Sequence, residues 1–153
     1  MLNPSCIKEK LFQSCLKHID ERIATIRQTL DSIEESRNNE SKSSVGDKYE
    51  TGRAMMQIEE EKCRAQLANA NDVKIELLSV NNSRPNQSAG LGNLVTTDNG
   101  TYYISIGIGK VMIDDRKYYC ISKESPIAIA MRNAQTGDRI EFNGKKITII
   151  NIG

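Results

Sequence analysis

The chain has 153 residues, of which 38% are hydrophobic and 27% are charged, and its formal net charge is +1. This length accommodates one ordinary domain or two small ones, and the near-neutral balance excludes wholesale electrostatic binding to nucleic acid or membranes. No apolar run approaches the roughly 20 residues of a membrane span, and the first residues lack the apolar region of a signal peptide. We therefore expect a cytoplasmic protein with no membrane partner.

The cysteines predict reduced thiols rather than a disulfide framework or a zinc site. Cys6, Cys15, Cys63 and Cys120 are scattered along the chain and show no CxxC spacing. In a cytosolic chain this pattern favours free thiols that behave as small buried hydrophobic side chains. His18 is the single histidine, so a histidine-based catalytic triad or zinc centre is disfavoured.

The strongest periodic signal lies near the start of the chain. Apolar residues are separated there by alternating steps of four and three, which is the spacing of a heptad seam. The members of this seam are Phe12, Leu16, Ile19, Ile23, Ile26, Leu30 and Ile33. Pro4 and Ser5 suit a helix start, so a helix is predicted from about residue 5 to about residue 38. Because the apolar stripe is narrow, this helix requires a partner.

A second and weaker seam follows a short polar interruption. Its apolar members, one every seven residues with Leu67 between them, are Tyr49, Met56, Cys63, Ala70 and Leu77. The complementary positions carry charges at Arg53, Glu60 and Lys74. Two long helices around one break predict an antiparallel coiled-coil hairpin over residues 1–78, and hence a monomer. A parallel homodimeric coil is the structural alternative, which the similar lengths of the two seams disfavour.

The polar interruption spans residues 41–53 and carries two carboxylates, Asp47 and Glu50. A spacing of three residues places two side chains on the same face of a helix or of a tight turn that leads into one. Two carboxylates on one face suit a hard divalent cation such as Mg²⁺. The alternative is an ordinary solvated hairpin end, because connections are commonly polar and exposed.

Beyond the hairpin the periodicity changes from helical to alternating. Residues 79–92 are rich in Asn, Ser, Gly and Pro and are predicted to form a linker. Residues 93–153 predict several strands and one short helix that starts at Ser125-Pro126. Turns between strands are predicted at Asn99-Gly100, Asp114-Asp115 and Asn143-Gly144. The predicted fold class is therefore α+β, with the helical hairpin followed by a small β-rich domain.

Two motifs and the order of the modules point to a known family. Gly46-Asp47-Lys-Tyr-Glu50 has the form Gly-Asp-x-x-Glu, and Ser125-Pro-Ile-Ala128 is followed downstream by Gly137-Asp138. With the hairpin and the β-rich domain, these features resemble the Gre family of bacterial transcript-cleavage factors, GreA and GreB. The resemblance covers nearly the whole chain. It implies an FKBP-like fold for residues 93–153.

The resemblance also implies a function, that of a transcription elongation factor whose partner is bacterial RNA polymerase. In this family the hairpin enters the secondary channel, and its acids act on the 3′ end of backtracked nascent RNA. Asp47 and Glu50 are then the catalytic residues and the metal ligands. They hold a second Mg²⁺, which is shared with the polymerase and is not bound in isolation. The hydrolysis belongs to the polymerase, so the chain is not itself an enzyme.

Two further groups of residues receive roles from the resemblance. Three basic side chains flank the acids and are predicted to contact phosphates of the extruded RNA; they are Lys42, Lys48 and Arg53. Plain solvated side chains are an equal alternative for these three. The residues predicted to dock on the polymerase at the channel rim are Ser125, Pro126 and Ile127.

Two other functions remain open. The usual family tip reads Asp-Leu-Ser-Glu-Asn, whereas Lys48, Tyr49, Thr51 and Gly52 surround the acids in this chain. This difference favours a regulator that occupies the same polymerase channel without stimulating cleavage. A structural or adaptor coiled coil unrelated to polymerase is the third hypothesis.

Overall fold

The structure is a computed structural model that describes residues 3–41, 48–80 and 88–153. Two long helices come first, and six strands and one short helix follow in the described part of the chain. In chain order these elements are α1 (Pro4–Ser41), α2 (Lys48–Leu78), β1 (Leu94–Thr97), β2 (Gly100–Ser105), β3 (Gly109–Ile113), β4 (Arg116–Ser122), α3 (Pro126–Ala130), β5 (Arg139–Phe142) and β6 (Lys145–Ile152). The predicted α+β class is confirmed.

The chain divides into two compact units. The first, here called the sheet unit, comprises Met1–His18 and Ile75–Gly153, and the second, here called the hairpin unit, comprises Ile19–Lys74. The first turns of α1 and the last turn of α2 therefore group with the strands. The predicted limits at residues 78 and 93 follow the change of periodicity, whereas this division follows contacts.

In the hairpin unit, α1 and α2 run antiparallel. Asp20, early in this part of α1, pairs with Lys74 at the far end of α2 across 2.6 Å, and Cys63 donates a hydrogen bond from Sγ to the Ile26 carbonyl oxygen over 3.4 Å. The predicted seam is buried at Ile19, Ile23, Ile26 and Leu30 on α1, and at Cys63 and Ala70 on α2. The two seams thus bury each other within one chain, and the predicted helical hairpin is confirmed.

The charged positions of the second seam are accommodated by ion pairs. The Glu60 side chain is 8% exposed, and it accepts hydrogen bonds from the guanidinium groups of Arg37 and Arg64. Arg64 also reaches Glu34 across 2.6 Å, and its hydrogen bond with Glu60 raises the pKa of Arg64. Glu60 is tolerated at a buried position because both arginines bring their charge to it while they remain partly in water.

This network gives a first testable prediction. Glu60→Leu should lower the urea midpoint of unfolding only slightly, because Arg37 and Arg64 are about half exposed and can turn to solvent. The double replacement of Arg37 and Arg64 by Met should lower the urea midpoint further, because it leaves a buried carboxylate unpaired. Urea unfolding followed by circular dichroism measures both midpoints. A double variant that is more stable than Glu60→Leu would contradict the expectation that removing both arginines costs more stability than removing the carboxylate.

In the sheet unit, the start of α1 uses a different face from the one predicted. Ile7, Leu11 and Cys15 are the buried positions, and Leu11 and Cys15 are fully inaccessible. Phe12 and Leu16, which the heptad pattern assigned to the seam, are only half-buried. The heptad pattern does not identify Leu11 as a buried position, because it describes packing against another helix. This part of α1 instead packs with the strands, and Lys10 Nζ lies 3.4 Å from Asp114 Oδ2 in the β3–β4 turn.

The strands form one sheet in the order β3-β4-β2-β1-β6-β5. The β2–β4 pair is parallel, and the other neighbouring pairs are antiparallel. Asp114 and Asp115 both have positive φ between β3 and β4, as do Asn143 and Gly144 between β5 and β6. Two consecutive residues with positive φ characterise the tight hairpin turns whose twist matches that of the flanking strands. Both of these predicted turns are confirmed.

The two faces of the sheet pack against different parts of the sheet unit. Tyr102 and Ile104 on β2 belong to a core cluster that also contains Ala89, Val95, Met131, Ala134 and Ile149. Tyr102 stacks on Tyr119 with ring centroids 5.6 Å apart. Because side chains alternate along a strand, Tyr103 and Ser105 occupy the opposite face. Ser105 is fully buried there and lies next to Cys15 of α1.

Candidate functional site

The structure describes only part of the predicted acidic and basic tip. Asp47 and Lys42 lie outside the described residues. Lys48 and Glu50 lie in the first turn of α2, and their side chains fall outside the described part. The joint placement of the two carboxylates therefore stays a prediction. Arg53 is the one member of this group whose side chain is described, and it is exposed.

Arg53 lines a pocket of about 250 Å³ in the hairpin unit, together with Arg37, Asn38 and Gln57. Arg37 and Asn38 come from the last turns of α1, and Arg53 and Gln57 from the first turns of α2. The antiparallel pairing of the helices brings these two sequence segments together. On α2, the positions of Glu50, Arg53 and Gln57 follow the three- and four-residue steps that define one helix face.

The pocket has the chemical character of an anion site. Among the described side chains, its lining contains two guanidinium groups and two amide groups, and no carboxylate. Arg37 is held by Glu60, whereas no acidic side chain in the described part of the chain pairs with Arg53. Guanidinium groups recognise phosphate through paired hydrogen bonds, and amides both donate and accept at sugar or base edges. The pocket therefore suits a phosphate-bearing ligand such as a nucleotide unit.

Arg37, Asn38 and Gln57 were missed by the sequence analysis. Each is a polar residue on the exposed side of a heptad pattern, and such residues are usually plain solvated positions. Aligning the two seams in antiparallel register would have been the available signal, since it sets Arg37 near the beginning of α2. The amide residues carry no comparable charge signal.

The predicted docking residues belong to the sheet unit, where they begin α3. Ser125 is the N-cap of this helix: its Oγ accepts a hydrogen bond from the Ala128 amide and donates one to the Ser122 carbonyl oxygen over 2.8 Å. Ile127 packs against the core cluster. Pro126 is exposed, and Ile129 is 51% exposed. Capping and core packing thus account for Ser125 and Ile127, and the accessible part of this segment is Pro126 with Ile129.

Residues 3–41, 48–80 and 88–153 contain neither a metal-binding cluster nor a membrane-spanning helix. These residues contain no group of three or more His, Cys, Asp or Glu side chains arranged to hold a metal ion. None of the helices in these ranges is both long and apolar enough to cross a membrane.

Comparison with known proteins finds similarity in structure but none in sequence. No protein-family model matches the chain, and no curated protein matches it. Among solved structures, that of the transcription factor Gfh1 is similar over 90% of this chain and 92% of that chain. The sequence identity is 15% and the TM-score is 0.38.

Proposed function

We propose that the chain is a transcription elongation factor of the Gre type, which enters the secondary channel of bacterial RNA polymerase and stimulates cleavage of backtracked nascent RNA. The observation that carries this proposal is the pocket of Arg37, Asn38, Arg53 and Gln57. It lies next to the helix turn that holds Glu50, and this end of the hairpin also carries Asp47 in the sequence. Phosphodiester cleavage uses carboxylates that hold a metal ion and positive groups that stabilise the phosphate, and this end of the hairpin carries both kinds of side chain in its sequence.

The two acids are proposed to supply oxygen ligands at the polymerase active centre. Their donor set fits Mg²⁺, which prefers carboxylate oxygens and needs only one or two from a protein. When bound between the polymerase and the tip, this ion would make a coordinated water more acidic and stabilise charge on the phosphate. Asp47 and Glu50 contribute position and negative charge. The chain therefore needs neither a nucleophile nor a complete metal cage of its own.

The pocket is proposed to hold the RNA beside the acids. Arg53 offers a guanidinium group with no acidic partner among the described side chains, and we assign it a contact with a phosphate. Arg37 is paired with Glu60 and also lines this pocket. Lys42 and Lys48 would extend this positive surface. A contact of this kind positions the backbone without reading sequence, as a factor acting on any stalled transcript requires.

Arg53 gives a second testable prediction. Arg53→Gln should lower stimulated cleavage several-fold at moderate salt, because one guanidinium–phosphate contact is lost. The slope of the logarithm of the cleavage rate against the logarithm of the salt concentration should fall by about one. Arg27→Gln is the matched control, since Arg27 is an exposed arginine of α1 outside the pocket. Cleavage rates measured across a salt titration test both variants. Equal effects of the two substitutions would remove the pocket from the proposal.

Docking is proposed to use the exposed part of the α3 segment, with Pro126 and Ile129 as contact residues. Ser125 and Ile127 would then act by fixing the shape of that segment. Copurification of the chain with RNA polymerase tests this step and separates a polymerase factor from an unrelated adaptor coiled coil. Pro126→Ala with Ile129→Ser should weaken copurification and leave the folded sheet unit unchanged.

A polymerase-channel regulator without cleavage activity is the second candidate. The observation that favours it is the replacement of the usual neighbours of the acids by Lys48, Tyr49, Thr51 and Gly52. Both candidates bind polymerase, so copurification does not separate them. A cleavage assay on a backtracked complex does.

A further inference from the structure

Two buried cysteines of the sheet unit meet between α1 and β4. Cys15 of α1 is 0% exposed and Cys120 of β4 is 1% exposed. The Cys15 sulfur lies 3.5 Å from the Ser105 hydroxyl oxygen on β2. In the sequence these cysteines are far apart and show no CxxC spacing. The fold brings them into one polar cluster.

The strand register explains why the two thiols meet. β2 and β4 are parallel neighbours in which Tyr103 pairs with Cys120 and Ser105 pairs with Ser122. Ser105 and Cys120 therefore lie on adjacent strands and on the same face of the sheet. Cys15 of α1 contacts this face at Ser105. The ion pair between Lys10 and Asp114 also links α1 to the β3–β4 turn.

The two neighbouring thiols affect each other's acidity in opposite directions. The Cys120 thiol lowers the pKa of Cys15, and the Ser105 hydroxyl and the Ile106 backbone act in the same direction against the effect of burial. The Cys15 thiol, together with burial, raises the pKa of Cys120. Cys15, whose sulfur also contacts the Ser105 hydroxyl, is thus the group that more readily forms a thiolate.

We propose that Cys15 and Cys120 form a redox-modification site, which a hydroperoxide converts into an intramolecular disulfide between α1 and β4. This inference is independent of the proposed role at RNA polymerase. It assigns a chemical role to two residues that neither the tip nor the docking segment uses.

The reaction balances with one hydroperoxide. The Cys15 thiolate attacks the peroxide oxygen, the O–O bond breaks, and the products are a Cys15 sulfenic acid and, after protonation of the leaving group, water or an alcohol. The Cys120 sulfur then attacks the Cys15 sulfur, and the S–O bond breaks. Hydroxide leaves with the Cys120 proton as water. Two thiols lose two electrons in total, and the hydroperoxide gains them.

Burial of the two thiols determines which oxidant can reach them and distinguishes them from the other cysteines. Both sulfur atoms are buried, so hydrogen peroxide, which is close to water in size, is the suitable oxidant rather than a bulky disulfide. Cys63 is also buried, with 5% of its surface exposed, but its thiol donates to the Ile26 carbonyl oxygen and has no described cysteine beside it. Cys6 is exposed. The chain therefore contains a buried control and an exposed control for the same reaction.

Peptide mapping of the full-length protein tests the proposal. The native protein is treated with hydrogen peroxide, its remaining thiols are alkylated under denaturing conditions, and the digest is analysed by mass spectrometry without reduction. We expect one dominant intramolecular cross-linked peptide pair that contains Cys15 and Cys120, with Cys63 still alkylated. Dithiothreitol should restore both thiols, and the oxidised protein should show a higher thermal midpoint of its tyrosine signal, because a cross-link ties α1 to β4.

Variants and controls make the outcome decisive. Cys15→Ser and Cys120→Ser should each abolish the cross-link, whereas Cys63→Ser should leave it intact. The wild-type map decides the question even if a buried substitution impairs folding. Recovery of Cys15 and Cys120 as alkylated thiols, under conditions that oxidise the exposed Cys6, would overturn the proposal. The proposal would also be overturned by a cross-link that forms mainly between two chains, or by cross-links to Cys63 as frequent as the one between Cys15 and Cys120.

Discussion

Replacement of Asp47 or of Glu50 by alanine is expected to abolish stimulated RNA cleavage and to leave polymerase binding nearly intact. The proposed docking surface lies elsewhere on the chain, whereas the tip supplies oxygen ligands at the active centre. Loss of a partner that merely orients a metal ligand already costs about 10–100-fold in affinity or activity, so loss of the ligand itself should cost at least on the order of 100-fold. Cleavage rates on a backtracked complex, together with binding measured in parallel, test this prediction.

The control and the double variant sharpen the test of the acids. Glu59→Ala removes an exposed carboxylate of α2 that is not part of the tip, and it should leave cleavage unchanged. The Asp47→Ala, Glu50→Ala double variant should be little worse than either single variant, because the two acids act as a unit. Higher Mg²⁺ or added Mn²⁺ should partly rescue the single variants by restoring occupancy. Additive losses with no metal rescue would mean that the acids do not share one ion.

Ile26→Asp is expected to destabilise the hairpin unit by about 3–5 kcal/mol, because it places a charge without a partner in the buried seam. Ile26 is 9% exposed, and its carbonyl oxygen also accepts the Cys63 thiol hydrogen bond. Ile58→Asp is the matched control within the same unit, since Ile58 is 65% exposed and should tolerate the charge. Urea unfolding followed by helical circular dichroism measures the difference between the two variants.

Tyrosine signals report on the sheet unit in the same experiment. Four of the five tyrosines, Tyr102, Tyr103, Tyr118 and Tyr119, lie on its strands, and the chain has no tryptophan. Their near-ultraviolet dichroism should persist in Ile26→Asp, because the core cluster around Tyr102 and Ile149 is intact. Sedimentation should show a monomer. A stable dimer whose helix pairing disappears on dilution would contradict the intramolecular hairpin.

The helical hairpin was predictable from the sequence because a heptad seam is a local and repeated signal. Ile19, Ile23, Ile26 and Leu30 are buried as their spacing requires. The pattern did not identify Leu11 and Cys15, which are fully buried where α1 groups with the strands. Periodicity identifies an apolar face but not what covers it. The tertiary partner decided the register there.

The candidate site was predictable only in part, for a different reason. Arg53 was found because it lies close in sequence to the two acids, whereas Arg37 joins it only through the antiparallel pairing of two helices. The Cys15–Cys120 cluster likewise depends on the parallel register of β2 and β4. Contacts between distant segments leave little trace in a single sequence. At Ser125 the motif was visible, but its hydrogen bonds are those of a helix cap.

A stalled, backtracked complex of bacterial RNA polymerase, incubated with the wild-type chain across a titration of Mg²⁺, provides the most direct measurement. The expected result is shortening of the nascent RNA from its 3′ end, well above the intrinsic rate of the polymerase and dependent on Asp47 and Glu50. Binding to polymerase with cleavage at the intrinsic rate at every Mg²⁺ concentration would contradict the cleavage function. The non-cleaving regulator would then be the better description.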